Sequence, residues 1–108
     1  MIFVHIQHFL NDDGQRYFHE WLTQVANALS GFDGFIRVRQ LTKVDHADEC
    51  HLMMEFETLE QLRKWSASSQ HKALIEQLAP FTLRAWESEI YEVGRLWTVR
   101  KDGDAYLT

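Results

Sequence analysis

Residues 50–81 read CHLMMEFETLEQLRKWSASSQHKALIEQLAPF, and the fold turns on this stretch. Cys50, Leu52, Met54 and Phe56 fall on alternate positions, so the segment opens as a strand with one apolar face. His51, Met53 and Glu55 give it a mixed opposite face. Thr58-Leu59-Glu60-Gln61 then forms a capping box, in which Thr58 caps a helix and Gln61 reaches back to the Thr58 amide. Leu59, Leu62 and Trp65 are spaced three apart along that helix. Ser66-Ala67-Ser68-Ser69 breaks or bends it, a further turn or two follows from Gln70 to Leu78, and Pro80 ends the helical run.

Toward the N-terminus, residues 2–9 (IFVHIQHF) alternate in the same way. Ile2, Val4 and Ile6 share a wholly apolar face, and Phe3, His5, Gln7 and Phe9 share a mixed one. Asn11 to Gly14 stop the strand and cap a helix over 13–29, where Phe18, Trp21, Leu22, Val25 and Leu29 make one apolar stripe. Phe35 to Leu41 read as a second strand, with Phe35, Arg37, Arg39 and Leu41 on one face. A polar connection, Lys43 to Asp48, leads into the strand at Cys50. The last strand is expected over about Leu83 to Leu96, with a bulge near Tyr91 where its alternation changes phase. The order is β-α-β-β-α-β, an α+β ferredoxin-like pattern with an antiparallel sheet. Residues 1–97 are expected to form the domain and residues 98–108 a polar C-terminal tail.

Composition narrows the function classes. The chain of 108 residues carries a net charge of -5, so no cationic footprint for nucleic acid is expected. No apolar run approaches the roughly 20 residues of a membrane span. A single cysteine, Cys50, excludes an internal disulfide and suits a cytoplasmic setting. No segment reads as a signal peptide. Metal sites look poor, since His5 and His8 lie on opposite strand faces and no His-x₃-His or Cys cluster occurs. No Gly-rich phosphate loop is present either, and no cofactor is expected.

Helices should cover the apolar sheet face. The other face carries Phe3, Phe9, Phe35, Leu41 and Met53 beside His5, Gln7, Arg37, Arg39, His51 and Glu55, which is too apolar to stay wet. A second sheet packed across it would satisfy both kinds of residue, so a homodimer with facing sheets is expected.

The segment 56–81 resembles the antibiotic biosynthesis monooxygenase family. The matching features are Phe56-Glu57 at a strand end, the cap at Thr58, Trp65, the Ser-x-x-His step from Ser68 to His71, and Leu74 to Pro80. The closing ESEIYEV at 87–93 and the Gly34-to-Leu41 step are also similar. The resemblance implies a dimeric α/β barrel with a ligand cavity in each subunit between helices and sheet. Members include cofactor-independent oxygenases of phenols, quinols and anthrones; others degrade heme, and others bind or isomerise small signals.

Oxygenation without metal or flavin needs an electron-rich substrate, a base to ionise it, an aromatic pocket and donors that steady the anion. Histidine is the natural base. His5 and His51 on the mixed faces are the strand candidates, with Gln7 beside them. The resemblance places further roles by position. Trp65 matches the helix-two Trp and Gln61 an amide one turn before it. His71 stands where the family has a phenol, and Arg84 could be the last-strand Arg. Trp65 is expected to face the cavity. The expectation is therefore His5, Trp65 and His71 as catalytic residues, with Gln7, Arg37, His51, Gln61 and Arg84 contacting substrate. Several have a structural alternative: His5 and His51 as hydrogen-bonded interface histidines, Gln61 as a helix cap, Trp65 as core, and Arg37 and Arg39 in inter-subunit salt bridges with Glu55 or Glu57. The heme-degrading members resemble the chain less, because Gln7 and Ile75 replace their paired residues. The reading is a cofactor-independent monooxygenase of a small aromatic, phenolic or quinol substrate. The alternative is a non-enzymatic ligand-binding or stress-response dimer of the same fold.

Overall fold

A computed structural model describes residues 1–100, 103 and 105–107. The elements run β1 (Ile2–Leu10), α1 (Asp12–Leu29), β2 (Phe35–Lys43), β3 (His46–Phe56), α2 (Leu59–Ser66), α3 (Ser69–Leu78), a 3₁₀ turn (Ala79–Phe81) and β4 (Thr82–Glu92). Two short strands, β5 (Trp97–Val99) and β6 (Ala105–Leu107), follow. The main sheet has the order β2-β3-β1-β4 and is antiparallel throughout. This is the expected α+β ferredoxin-like architecture. No helix among the described residues is long and apolar enough to cross a membrane.

β1 lies inside the sheet and is paired on both edges. Its burial alternates without a break, and Ile2, Val4, Ile6, His8 and Leu10 are the buried set. They join Cys50, Leu52, Met54 and Phe56 of β3 beneath Phe18, Trp21, Leu22, Val25 and Leu29 of α1. Leu62 and Trp65 of α2 and Leu74 and Leu78 of α3 complete this single core. The Trp21 indole N–H donates to the Leu74 carbonyl at 2.8 Å and so ties α1 to α3. Burial pushes the Cys50 thiol up to about 11, which leaves it a neutral core residue.

The helix termini are set by local hydrogen bonds. Asn11 caps α1 by accepting from the Gly14 amide at 2.9 Å. The capping box of α2 is complete: Thr58 Oγ1 accepts from the Gln61 amide, and Gln61 Oε1 accepts from the Thr58 amide. Gly34, at φ +83°, gives the room this needs, because a Cβ there would sit 1.8 Å from Gln61 Oε1.

Several details differ from the sequence reading. The connection between β2 and β3 is not the six-residue stretch from Lys43 to Asp48. Lys43 pairs with His46, and a two-residue turn at Val44-Asp45 joins them, with Asp45 in the left-handed region at φ 67°. Phe35 does not share a face with Arg37: the register slips between them, and Phe35 lies opposite Phe56 with the rings 5.9 Å apart. The bulge in β4 is not near Tyr91. Pairing is regular from Ile2↔Glu92 to Gln7↔Glu87 and slips between Gln7 and Phe9. There two residues of β4, Ala85 and Trp86, stand against the single residue His8. Of the residues read as a tail, Thr98, Val99 and Ala105 to Leu107 take part in the β5–β6 ladder. Lys101, Asp102, Asp104 and Thr108 lie outside the described residues.

Gly14 is the tightest point of the frame. A Cβ there would lie 2.6 Å from Phe81 Cβ and 2.8 Å from Leu10 Cβ, both fixed close to their backbones. Alanine is the better helix former by about 1 kcal/mol, but the overpacking cost of about 1–3 kcal/mol acts against it. Gly14→Ala is expected to destabilise the chain by up to about 2 kcal/mol in a urea denaturation series. Equal or higher stability would show that α1 can move away from the 3₁₀ turn at little cost.

Candidate functional site

The bulge in β4 creates the first site. Ala85 and Trp86 stand off from His8, and Ile75, Leu78, Ala79 and Thr82 close the other side of a cavity of about 300 Å³ between α3 and β4. The walls are almost entirely apolar. His8 is their only titratable side chain and is 5 % exposed. It sits edge-on to Trp21 (5.2 Å) and tilted against Trp86 (5.6 Å). Burial pushes its pKa down to about 4, and the nearby His71 imidazole adds to the effect. At neutral pH His8 is therefore an uncharged imidazole with a lone pair, buried at the inner wall of a largely apolar, half-open cavity beside Trp86. Sequence reasoning passed over it. The signal was there: His8 is the one polar residue in the buried phase Ile2, Val4, Ile6, His8, Leu10.

His71 stands close by. Its ring is 5.4 Å from Trp65 and 6.4 Å from Trp86, both edge-on. Burial lowers its pKa, opposed by a hydrogen bond that its ring donates to the Ser66 backbone carbonyl. Trp65 itself is 1 % exposed, packs edge-on against Phe32, and is not part of the cavity wall. Its indole Nε1 is buried with no hydrogen-bond partner among the described residues. Gln61, one turn earlier, is held in the capping box.

The opposite sheet face gathers a second group. His5 Nε2 and His51 Nδ1 are 2.9 Å apart, and His51 Nε2 lies 2.8 Å from Glu49 Oε1. Gln7 donates to the same Glu49 oxygen at 3.3 Å. With Leu41, Thr42 and Lys43 these residues line an open hollow of about 530 Å³. The structure thus brings His5, Gln7 and His51 together, on the other side of the sheet from Trp65 and His71. Arg37 is in a salt bridge with the buried Glu55 carboxylate, Nε to Oε2 at 3.1 Å. Arg84 lies with its guanidinium 3.7 Å over the Phe9 ring and 3.5 Å from Glu87, on the face away from the helices. No group of three or more His, Cys, Asp or Glu among the described residues is arranged to hold a metal ion.

Comparison with known proteins places this geometry. The family model described as antibiotic biosynthesis monooxygenase matches residues 1–77. The chain belongs to that family. A solved structure from Deinococcus radiodurans carrying the family name superposes with a TM-score of 0.80 at 14% identity, covering 93% of this chain and 99% of that one. Another from Nitrosomonas europaea gives 0.75 at 14% identity, over 86% of this chain and 98% of the other. SnoaB, a cofactor-independent oxygenase from Streptomyces nogalater, gives 0.70 at 14% identity, over 85% and 90%. At these identities the likeness establishes the fold alone. No curated protein matches the sequence.

The state of His8 has a measurable consequence. Its pKa falls from 6.5 unfolded to about 4 folded, so between these values the unfolded chain binds more protons than the folded one. Its contribution is complete above about pH 6.5 and is lost as pH falls toward 4. Lowering the pH from 7 to 4 is expected to cost the wild type about 3 kcal/mol more than it costs His8→Gln. Denaturant titrations of both proteins at the two pH values check this. Equal losses would mean that His8 takes up its proton inside the folded chain.

Proposed function

We propose that the chain is a cofactor-independent monooxygenase of a small phenol or hydroquinone, bound in the cavity between α3 and β4 with His8 as its base. One observation carries the reading: an uncharged, buried imidazole is the only titratable group on the wall of an apolar cavity. About 300 Å³ is at the small end of ligand cavities and suits a one- or two-ring aromatic. Trp86 offers an aromatic surface for stacking or edge contact.

In this reading the substrate hydroxyl gives its proton to a His8 ring nitrogen. The imidazolium and the aryl oxide then form a contact pair, and the apolar walls that disfavour either charge alone strengthen their attraction. The electron-rich anion passes one electron to O₂, giving an aryloxyl radical and superoxide. These combine at a ring carbon, and the peroxide formed takes the proton back from His8. Loss of water leaves a carbonyl at that carbon, so one oxygen atom stays in the product and the other leaves as water. His71, edge-on to Trp86 behind the cavity wall, is proposed to act on the substrate only through its effect on Trp86 and His8. On the far sheet face, His5, Gln7, His51, Arg37 and Arg84 take no part in this step.

We also propose that the chain works as a homodimer. β4 is exposed along its whole length. Leu83, Trp86, Ile90, Tyr91, Val93, Leu96 and Trp97 form an exposed apolar band along it and just beyond. A band of this kind is a subunit contact more often than free surface. Of these, Tyr91 is in register with Phe3 on the open face and, with Phe3, Phe9, Met53 and Leu41, gives a second sheet an apolar surface to pack on, whereas Ile90 and Trp86 lie on the helix side. Sedimentation at micromolar concentration is expected to give about twice the 12.8 kDa chain mass; a stable monomer would remove the dimer from the account.

The enzymatic reading is tested with a panel of one- and two-ring hydroquinones, following O₂ consumption and quinone absorbance. Wild type is expected to turn over at least one of them. His8→Gln, checked for folding by its melting curve, is expected to lose about 100-fold or more in turnover, the usual worth of a general base. Saturable quenching of tryptophan fluorescence without O₂ uptake would favour the non-enzymatic binding protein.

A further inference from the structure

We infer that the Glu49–His51–His5 chain makes the pairing of two copies through the open sheet face pH-dependent, an inference that rests on the homodimer proposed above. Geometry fixes the protons. An ionised Glu49 only accepts, so the His51 Nε2 2.8 Å away must carry a hydrogen. In neutral His51 the other nitrogen, Nδ1, is then a lone pair. It accepts from His5 Nε2 at 2.9 Å, so His5 in turn carries its free lone pair on Nδ1. Glu49 stays ionised: the His51 hydrogen bond holds its carboxyl below the usual range, aided by the charges of Lys43 and His46.

A first proton can enter at His5 Nδ1 and leave this chain intact. A second cannot. It must go to His51 Nδ1, which then opposes one N–H to another across 2.9 Å. Two parallel imidazolium rings would also lie 5.1 Å apart. His51 is buried opposite Leu41 and is held by Glu49. His5 is only half-buried, so relief comes from His5 swinging out of the face. That is the space a facing sheet would fill.

The surroundings do not cancel the effect. On β4, Glu89 is in register with His5, and Glu87 with Gln7. On β3, Glu49 and the half-exposed His46 lie on one side and Glu55 on the other, the last already engaged by Arg37. On β2, Arg39 pairs with Met53, and Lys43 lines the hollow. The carboxylates ease the first proton, whereas Arg39, Lys43 and His46 add to the cost of the second. Twofold symmetry doubles the event, since each copy brings one such chain.

The experiment is sedimentation velocity over a concentration series at pH 7.5 and 5.5 and constant ionic strength, with circular dichroism confirming the fold at each pH. The wild-type dimer dissociation constant is expected to rise at least tenfold at pH 5.5. His5→Gln can still hydrogen-bond His51 but takes no proton, and its constant is expected to change less than threefold. An unchanged wild-type constant overturns the inference, as does an equal rise in His5→Gln. Should His5→Gln not fold, Glu49→Gln decides. Without the carboxylate the pair takes protons less readily, so the midpoint must move to lower pH, and an unmoved midpoint overturns the inference. Absence of a dimer at pH 7.5 would instead remove the dimer reading itself.

Discussion

A strand bonded on both edges cannot turn a side chain from one face to the other, and β1 is such a strand. Its register with β3 and β4 therefore fixes where each residue from Ile2 to Leu10 points. Even positions go under the helices and odd positions go to the open face. His8 is buried because Ile2, Val4 and Ile6 are, and it would be costly there without the cavity. The bulge in β4 resolves the conflict by setting two residues against His8 and holding the wall away from its ring. Core and cavity thus follow from one alternation and from the extra β4 residue opposite His8.

The same strand gives two histidines opposite properties. On the helix side, His8 loses its proton because nothing nearby repays the desolvation of a charge. Three residues earlier and on the other face, His5 joins a hydrogen-bonded chain that ends on a carboxylate. An uncharged, desolvated imidazole and a hydrogen-bonded chain ending on a carboxylate differ in chemistry, and the backbone of β1 keeps them apart. That separation is why the open-face residues are assigned to association and the cavity residues to chemistry.

Much of the fold was legible because it rests on periodicity. The phase of β1, the stripe of α1, the apolar face of β3 and the capping box at Thr58 each occupy one contiguous stretch, and the structure repeats them. What was misread depends on pairing between distant stretches. The slip that carries Phe35 to the helix side needs Phe56 opposite it, and the β4 bulge needs the length of β1. The short turn at Val44-Asp45 was hidden because polar residues continue well into β3, where no core requires apolar ones. The site was less legible for the same reason. His5, Gln7 and His51 could be grouped by strand face, but their chain ends on Glu49, which sequence alone left unused. His8 was treated only as a failed metal ligand, although it stood in the buried phase.

The step between α2 and α3 shows how a family motif can be structural while its side chains remain free. Ser68 closes α2 by donating its hydroxyl to the Trp65 carbonyl and opens α3 by accepting from the His71 amide. The hydrogen bond uses the backbone of residue 71 and asks nothing of its side chain. An imidazole can stand there in place of a phenol without disturbing the fold. Its ring falls between Trp65 and Trp86, close enough to His8 for each charge to disfavour the other. Burial already keeps both rings neutral, so the first proton taken from a substrate raises the cost of a second. In the proposed reaction, this proximity would favour one proton at a time on the two rings, as ionisation of a single substrate hydroxyl requires.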